Sequence, residues 1–93
     1  MAIAWDEAKR AKTLAERGLD FADAELVFAG RRLSLPDDRR DYGEPRFITA
    51  GWLRGRFVVL VWTLRGDDQR IISMRYGHDD EEAYYEKQMD RSG

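Results

Sequence analysis

The alternation of apolar and polar positions divides the chain into short elements. Ile3–Trp5 is a brief apolar stretch that suits a first strand. Ala8, Ala11, Leu14 and Ala15 then recur at helical spacing, with Lys9, Arg10, Lys12 and Arg17 on the polar faces. Asp6 is placed to cap this helix and Glu7 to face the positive end of its dipole. Gly18 suits the left-handed position that ends it, with Leu14 and Leu19 as the contacting pair of a Schellman motif. The pattern predicts a helix over 6–17. Asp20 is the next cap, and Phe21, Ala24, Val27 and Phe28 form the apolar stripe of a second helix over 21–28, which Ala29 and Gly30 close. The two helices read as a helical hairpin lying on one face of a sheet.

The sheet comes from the middle of the chain. Residues 31–35 supply a short strand before Pro36, and three longer strands follow over 46–52, 56–64 and 69–75. Turns rich in Gly and Asp separate them, at 53–55 and 65–68. Val58-Val59-Leu60-Val61-Trp62 is a continuous apolar run, as expected of a central strand covered at least partly on both faces. Gly77 breaks the chain, and Asp79 with Glu82 has capping-box spacing for a third helix over 79–89. The expected architecture is α+β. A small antiparallel sheet, a three-strand meander with short edge strands, carries an N-terminal helical hairpin on one face and a C-terminal helix.

Composition narrows the class. Ninety-three residues suit a single domain with a modest core. With no cysteine, disulfides and thiolate metal sites are excluded, which fits a reducing cytoplasm. No apolar run has the length of a membrane span, and the start of the chain lacks the form of a signal peptide. Sixteen basic and 18 acidic side chains give a net charge of −2, unlike a dedicated nucleic-acid binder. The charges are nevertheless segregated. Six arginines lie between Arg46 and Arg75 against Asp67 and Asp68, whereas five acids and no base lie between Asp79 and Glu86.

The candidate chemistry is that of arginine. One histidine and no cysteine leave no recognisable metal-ligand set, and Ser34, Ser73 and His78 lack the context of a nucleophile elbow. Cleavage of RNA without a metal needs a deprotonated 2′-hydroxyl, a held phosphate and a protonated leaving oxygen. The guanidinium fork holds two phosphate oxygens and stabilises the charge of the transition state. Arg70 and Arg75, at the two ends of the last strand, are best placed for this, although solvated strand-end charges are the plainer reading. Strict alternation sets them on opposite faces, so a shared site requires a bulge or the strand's end. His78 is a candidate general acid or base because histidine ordinarily titrates near neutrality; a capping or surface role is its alternative. Lys9 and Arg46 are candidate supporting cations. Tyr85 is a candidate stacking residue that could instead pack on the sheet.

Trp5-Asp6-Glu7 with Lys9, Gly18-Leu19 with Phe21, Asp38-Arg39, Tyr42 through Ile48 with Gly51, Arg70 through Arg75, and Tyr85-Glu86 form an ordered set. Together they resemble the BrnT toxins of bacterial type II toxin–antitoxin systems, over nearly the whole chain. The resemblance implies a RelE-like fold and metal-independent endoribonuclease activity that inhibits translation, with no cofactor. It further implies a cognate BrnA-type antitoxin carrying a ribbon-helix-helix domain, through which alone operator DNA would be bound. A homodimer is also compatible. The chain departs from the family pattern where Thr13, Glu16 and Arg17 replace the usual Asn, Lys and His. A second departure is the run Arg75 to Ala83, acidic where members are often basic. Repulsion from phosphate should then weaken RNA binding. The alternative function is a catalytically weak module that mainly holds a ribbon-helix-helix antitoxin or a corepressor partner.

Overall fold

The apolar run around Val58–Trp62 sits at the middle of the sheet. In the computed structural model, which describes residues 2–92 (the backbone alone for Ser92), the elements are β1 Ile3–Trp5, α1 Glu7–Arg17, a 3-10 turn Phe21–Asp23 leading into α2 Ala24–Ala29, β2 Arg32–Pro36, β3 Arg46–Leu53, β4 Arg56–Arg65, β5 Asp68–Tyr76 and α3 Asp79–Ser92. The strand order is β1-β5-β4-β3-β2. Strands β2 to β5 pair antiparallel with their neighbours, and β1 joins β5 in parallel. The sheet is therefore mixed and five-stranded, not purely antiparallel. A three-residue strand cannot stand alone, and the free edge of β5 supplies its hydrogen bonds.

Alternation along β4 splits its apolar run between two faces. On one face Val58, Leu60 and Trp62 join Ile71, Met74, Leu53, Leu19, Phe21, Ala24 and Val27 in the main core. Trp62 stacks on Phe47 with centroids 4.7 Å apart, and its Nε1 donates to Thr49 Oγ1 at 2.8 Å. On the other face Phe57 and Val59 form a smaller cluster with Ala50, against which Ile48, Trp52 and Tyr85 pack.

Two expectations about the helices are corrected. The helical hairpin does not form: α1 lies along β5, whereas α2 packs on β3. A Cβ on Gly51 would stand 2.9 Å from Val27 Cγ1, so glycine is what lets α2 approach this closely. Nor does α1 bury its apolar stripe, for Ala8, Ala11, Leu14 and Ala15 are all exposed. Polar anchors set its rotation instead. Arg10 donates from Nε and Nη2 to Asp20 at 2.7 and 2.9 Å, and Arg17 Nη1 donates to the Met74 carbonyl at 3.0 Å. The predicted caps are in place: Asp6 accepts from the amides of Ala8 and Lys9, Asp20 from that of Ala22, and Gly18 is left-handed at φ 69°.

The third helix, α3, lies across the face opposite α2, so helices flank both faces. Trp52 Nε1 donates to Glu82 Oε2 at 2.8 Å, and Met89 is buried. The crossing begins at Gly77, whose amide donates to the Phe57 carbonyl at 3.0 Å. A Cβ at Gly77 would collide with the Phe57 ring.

Candidate functional site

The decisive irregularity is in β5. Val61 pairs with Ser73, but Trp62 pairs with Ile71, so Ile72 is an extra, bulged residue. The bulge resets the alternation. Arg75 pairs with Val59 and Arg70 with Thr63, two residues of β4 that share a face. Arg70 and Arg75 therefore point to the same side of the sheet, the α3 side. Arg46 also pairs with Thr63, so Arg46, Thr63 and Arg70 form one cross-strand row. Four residue steps along β4 separate this row from Arg75, about 13 Å at ~3.3 Å per residue.

Between the row and α3 lies a cavity of about 350 Å³ lined by Arg39, Ile48, Val59, Val61, Ser73, Arg75, Glu81 and Tyr85. Its floor is apolar and its rim is charged. The segment 37–45 forms one wall. Asp37, almost fully buried, accepts from Arg39 Nε and Nη2 at 2.7 and 2.9 Å and from the Tyr42 hydroxyl at 3.3 Å. The Arg46 guanidinium lies 4.1 Å from the Tyr42 ring centroid, and the Thr63 hydroxyl donates to the Pro45 carbonyl. The first turns of α3 form the opposite wall.

Arg75 is not free. Its Nη1 and Nη2 donate to Glu81 Oε1 and Oε2 at 2.9 and 2.7 Å, the parallel fork geometry of guanidinium with carboxylate. These bonds raise the Arg75 pKa, and they pull Glu81 down to about 2, helped by the His78 amide. Asp37 is likewise lowered, chiefly by its bonds from Arg39. Burial is the main cause that raises Tyr85, so its phenol stays protonated at neutral pH.

The structure thus brings Arg75 and Tyr85 to the groove, whereas Arg46, paired with Glu44, and Arg70 share a row on the same face of the sheet without lining it. Lys9 lies elsewhere, in a cleft between α1 and β5. His78 is exposed and does not line the groove; its amide donates to Glu81 Oε1 at 2.9 Å, and its carbonyl accepts from Glu82 at 3.0 Å. The start of α3 is therefore capped at His78 by Glu81, one residue before the predicted Asp79 and Glu82. Two groove residues were missed in the sequence, Arg39 and Glu81. The three-residue spacing from His78 to Glu81 was a usable signal for the second. Among the described residues no three His, Asp or Glu side chains come together as a metal site.

A family model described as the ribonuclease toxin, BrnT, of type II toxin–antitoxin systems matches residues 5–81. The chain belongs to this family. It is accordingly a ribonuclease toxin of a type II toxin–antitoxin system, a class that acts with a partner antitoxin. The match includes Lys9, Arg39, Arg46, Arg70, Arg75 and His78, and ends on Glu81. No curated protein matches the chain. No helix among the described residues is long and apolar enough to cross a membrane.

Proposed function

We propose that the protein is a metal-independent endoribonuclease that blocks translation by cutting RNA at the groove between segment 37–45 and α3, and that a BrnA-type antitoxin with a ribbon-helix-helix domain neutralises it. In this reading the 2′-oxygen attacks the adjacent phosphorus. The bond from phosphorus to the 5′-oxygen breaks, leaving a 2′,3′-cyclic phosphate and a 5′-hydroxyl. Arg75 and Arg39 hold the non-bridging oxygens and stabilise the added charge. Tyr85, a neutral phenol whose pKa burial raises further, gives its proton to the leaving 5′-oxygen. His78 is the candidate that accepts the 2′-proton, reaching in from the start of α3 once Glu81 yields. Arg70 and Arg46 hold the strand further along the same face of the sheet.

One observation carries the reading. The Arg75 fork already grips a planar pair of oxygens, in the bidentate geometry it would use for phosphate. The test is to incubate the purified protein with single-stranded RNA in EDTA and identify the new ends. Cyclic phosphates support the reading, and intact RNA at high protein concentration overturns it.

The same contact favours a second reading. With Glu81 on Arg75 and Asp37 on Arg39, both guanidinium forks are occupied by carboxylates. A chain whose forks stay closed is a weak catalyst whose main work is to hold its antitoxin. Growth arrest on expression separates the two, since the first reading requires it and the second does not.

A further inference from the structure

Arg39, Arg46 and Arg75 are held by carboxylates, but Lys9 and Lys12 on α1 are not. β1 pairs with Gln69, Arg70 and Ile71, so among the described residues β5 beyond Ile71 has no strand on its outer side. There α1 lies against it and leaves a cleft of about 170 Å³, lined by Lys9, Lys12, Thr13, Glu16 and Arg17 with Ile72 and Ser73 of β5. Three cations face one acid. Lys9 and Lys12 are exposed and make no ion pair among the described residues. Arg17, also exposed, is anchored through Nη1 on the Met74 carbonyl at the side of the cleft. Ser73 lines both this cleft and the groove that holds Arg75. The bulged Ile72 lines the cleft.

We propose that this cleft is a second phosphate subsite, joined to the groove at Ser73, where Lys9, Lys12 and Arg17 hold the backbone of a single-stranded RNA beside the phosphodiester at Arg75. The proposal rests on the ribonuclease reading above. Lysine suits such a subsite because it meets phosphate as a mobile point charge and needs no fixed orientation. The site positions the strand by charge and reads no base.

The test compares a trinucleotide with a nonanucleotide, both of 2′-O-methyl RNA so that neither is cut, by fluorescence anisotropy over a range of salt. The variants are Lys9→Gln/Lys12→Gln, which keeps helix propensity, and Lys9→Arg/Lys12→Arg, which keeps the charge. Wild type should bind the nonanucleotide more tightly than the trinucleotide. The glutamine variant should lose about tenfold on the nonanucleotide near 0.1 M salt, with a log–log salt slope shallower by roughly 1.4. Its trinucleotide affinity should change little, and the arginine variant should retain the length advantage. Equal nonanucleotide binding by wild type and the glutamine variant overturns the subsite while leaving cleavage at Arg75 standing. Preferential, Lys9- and Lys12-dependent binding of poly-glutamate overturns it in favour of an acidic protein segment. Failure of wild type to bind either RNA removes the ribonuclease reading and the subsite together.

Discussion

Glu81 holds Arg75 through two hydrogen bonds of 2.9 and 2.7 Å while accepting a third from the His78 amide. One carboxylate thus caps α3 and fills the fork that the proposed reaction needs. Its pKa of about 2 keeps the contact formed throughout the physiological range. Incoming RNA must exchange a phosphate for this carboxylate.

Glu81→Gln should therefore make the protein a better ribonuclease. The amide oxygen can still accept from the His78 N–H, so α3 stays capped, but the charge that competes with phosphate is gone. The Arg75 side chain is 42% exposed, which screens the pair. A gain of roughly fivefold in RNA affinity or cleavage rate is expected, matching a contact of about 1 kcal/mol. Cleavage assays on wild type and variant, side by side, check this; no gain would mean that Glu81 does not compete with substrate.

The Arg10–Asp20 contact gives a stability prediction with a definite pH window. Bonds from Arg10 and then from the Ala22 amide lower Asp20 from 3.8 to about 2. A carboxylate depressed on folding stabilises the folded state above its unfolded pKa, and that contribution disappears as pH falls through the folded value. Asp20→Asn, which can still cap Ala22, should lower Tm by several degrees at pH 7 and by little at pH 2. Thermal melts followed by circular dichroism at the two pH values measure it. A constant difference would assign the loss to packing.

Gly77→Ala tests how α3 is placed. A methyl group there meets the Phe57 ring, so the β5–α3 junction must move. Overpacking of this kind costs about 1–3 kcal/mol. Urea denaturation should show that loss, together with reduced protection of the α3 amides in hydrogen exchange. A wild-type midpoint would show that the junction yields freely.

Much of the fold was legible because its signals are local. Asp6, Asp20 and Gly18 act through their own side chains or dihedral angles, and all three hold the predicted positions. The apolar run of β4 marks a central strand whichever way its neighbours run. What misled was the stripe on α1. Four apolar residues at helical spacing promise a buried face, but three are alanines with little area to bury, and two arginine anchors turn the helix the other way. The side occupied by α3 was hidden for a related reason, since it depends on Gly77 passing close over Phe57.

The groove was only half legible. Arg75 and Tyr85 were named from residue type, and both line it. That Arg70 shares a face with Arg75 could not be read, because the bulge at Ile72 is a matter of pairing with β4 and has no signature in β5 itself. Arg39 was hidden in a charged run, where its partner Asp37 looks like any surface acid until the fold buries it.

Arg75 is the group on which cleavage depends, as the holder of the scissile phosphate. The direct measurement is the rate of single-stranded RNA cleavage in EDTA by wild type, Arg75→Ala and Arg75→Lys, with folding of each checked by circular dichroism. Loss of one phosphate-holding group should slow cleavage by about 100-fold or more in the alanine variant. The lysine variant should recover only part of it, because a point charge cannot replace the fork. A folded Arg75→Ala protein that cleaves RNA at the wild-type rate would contradict the account.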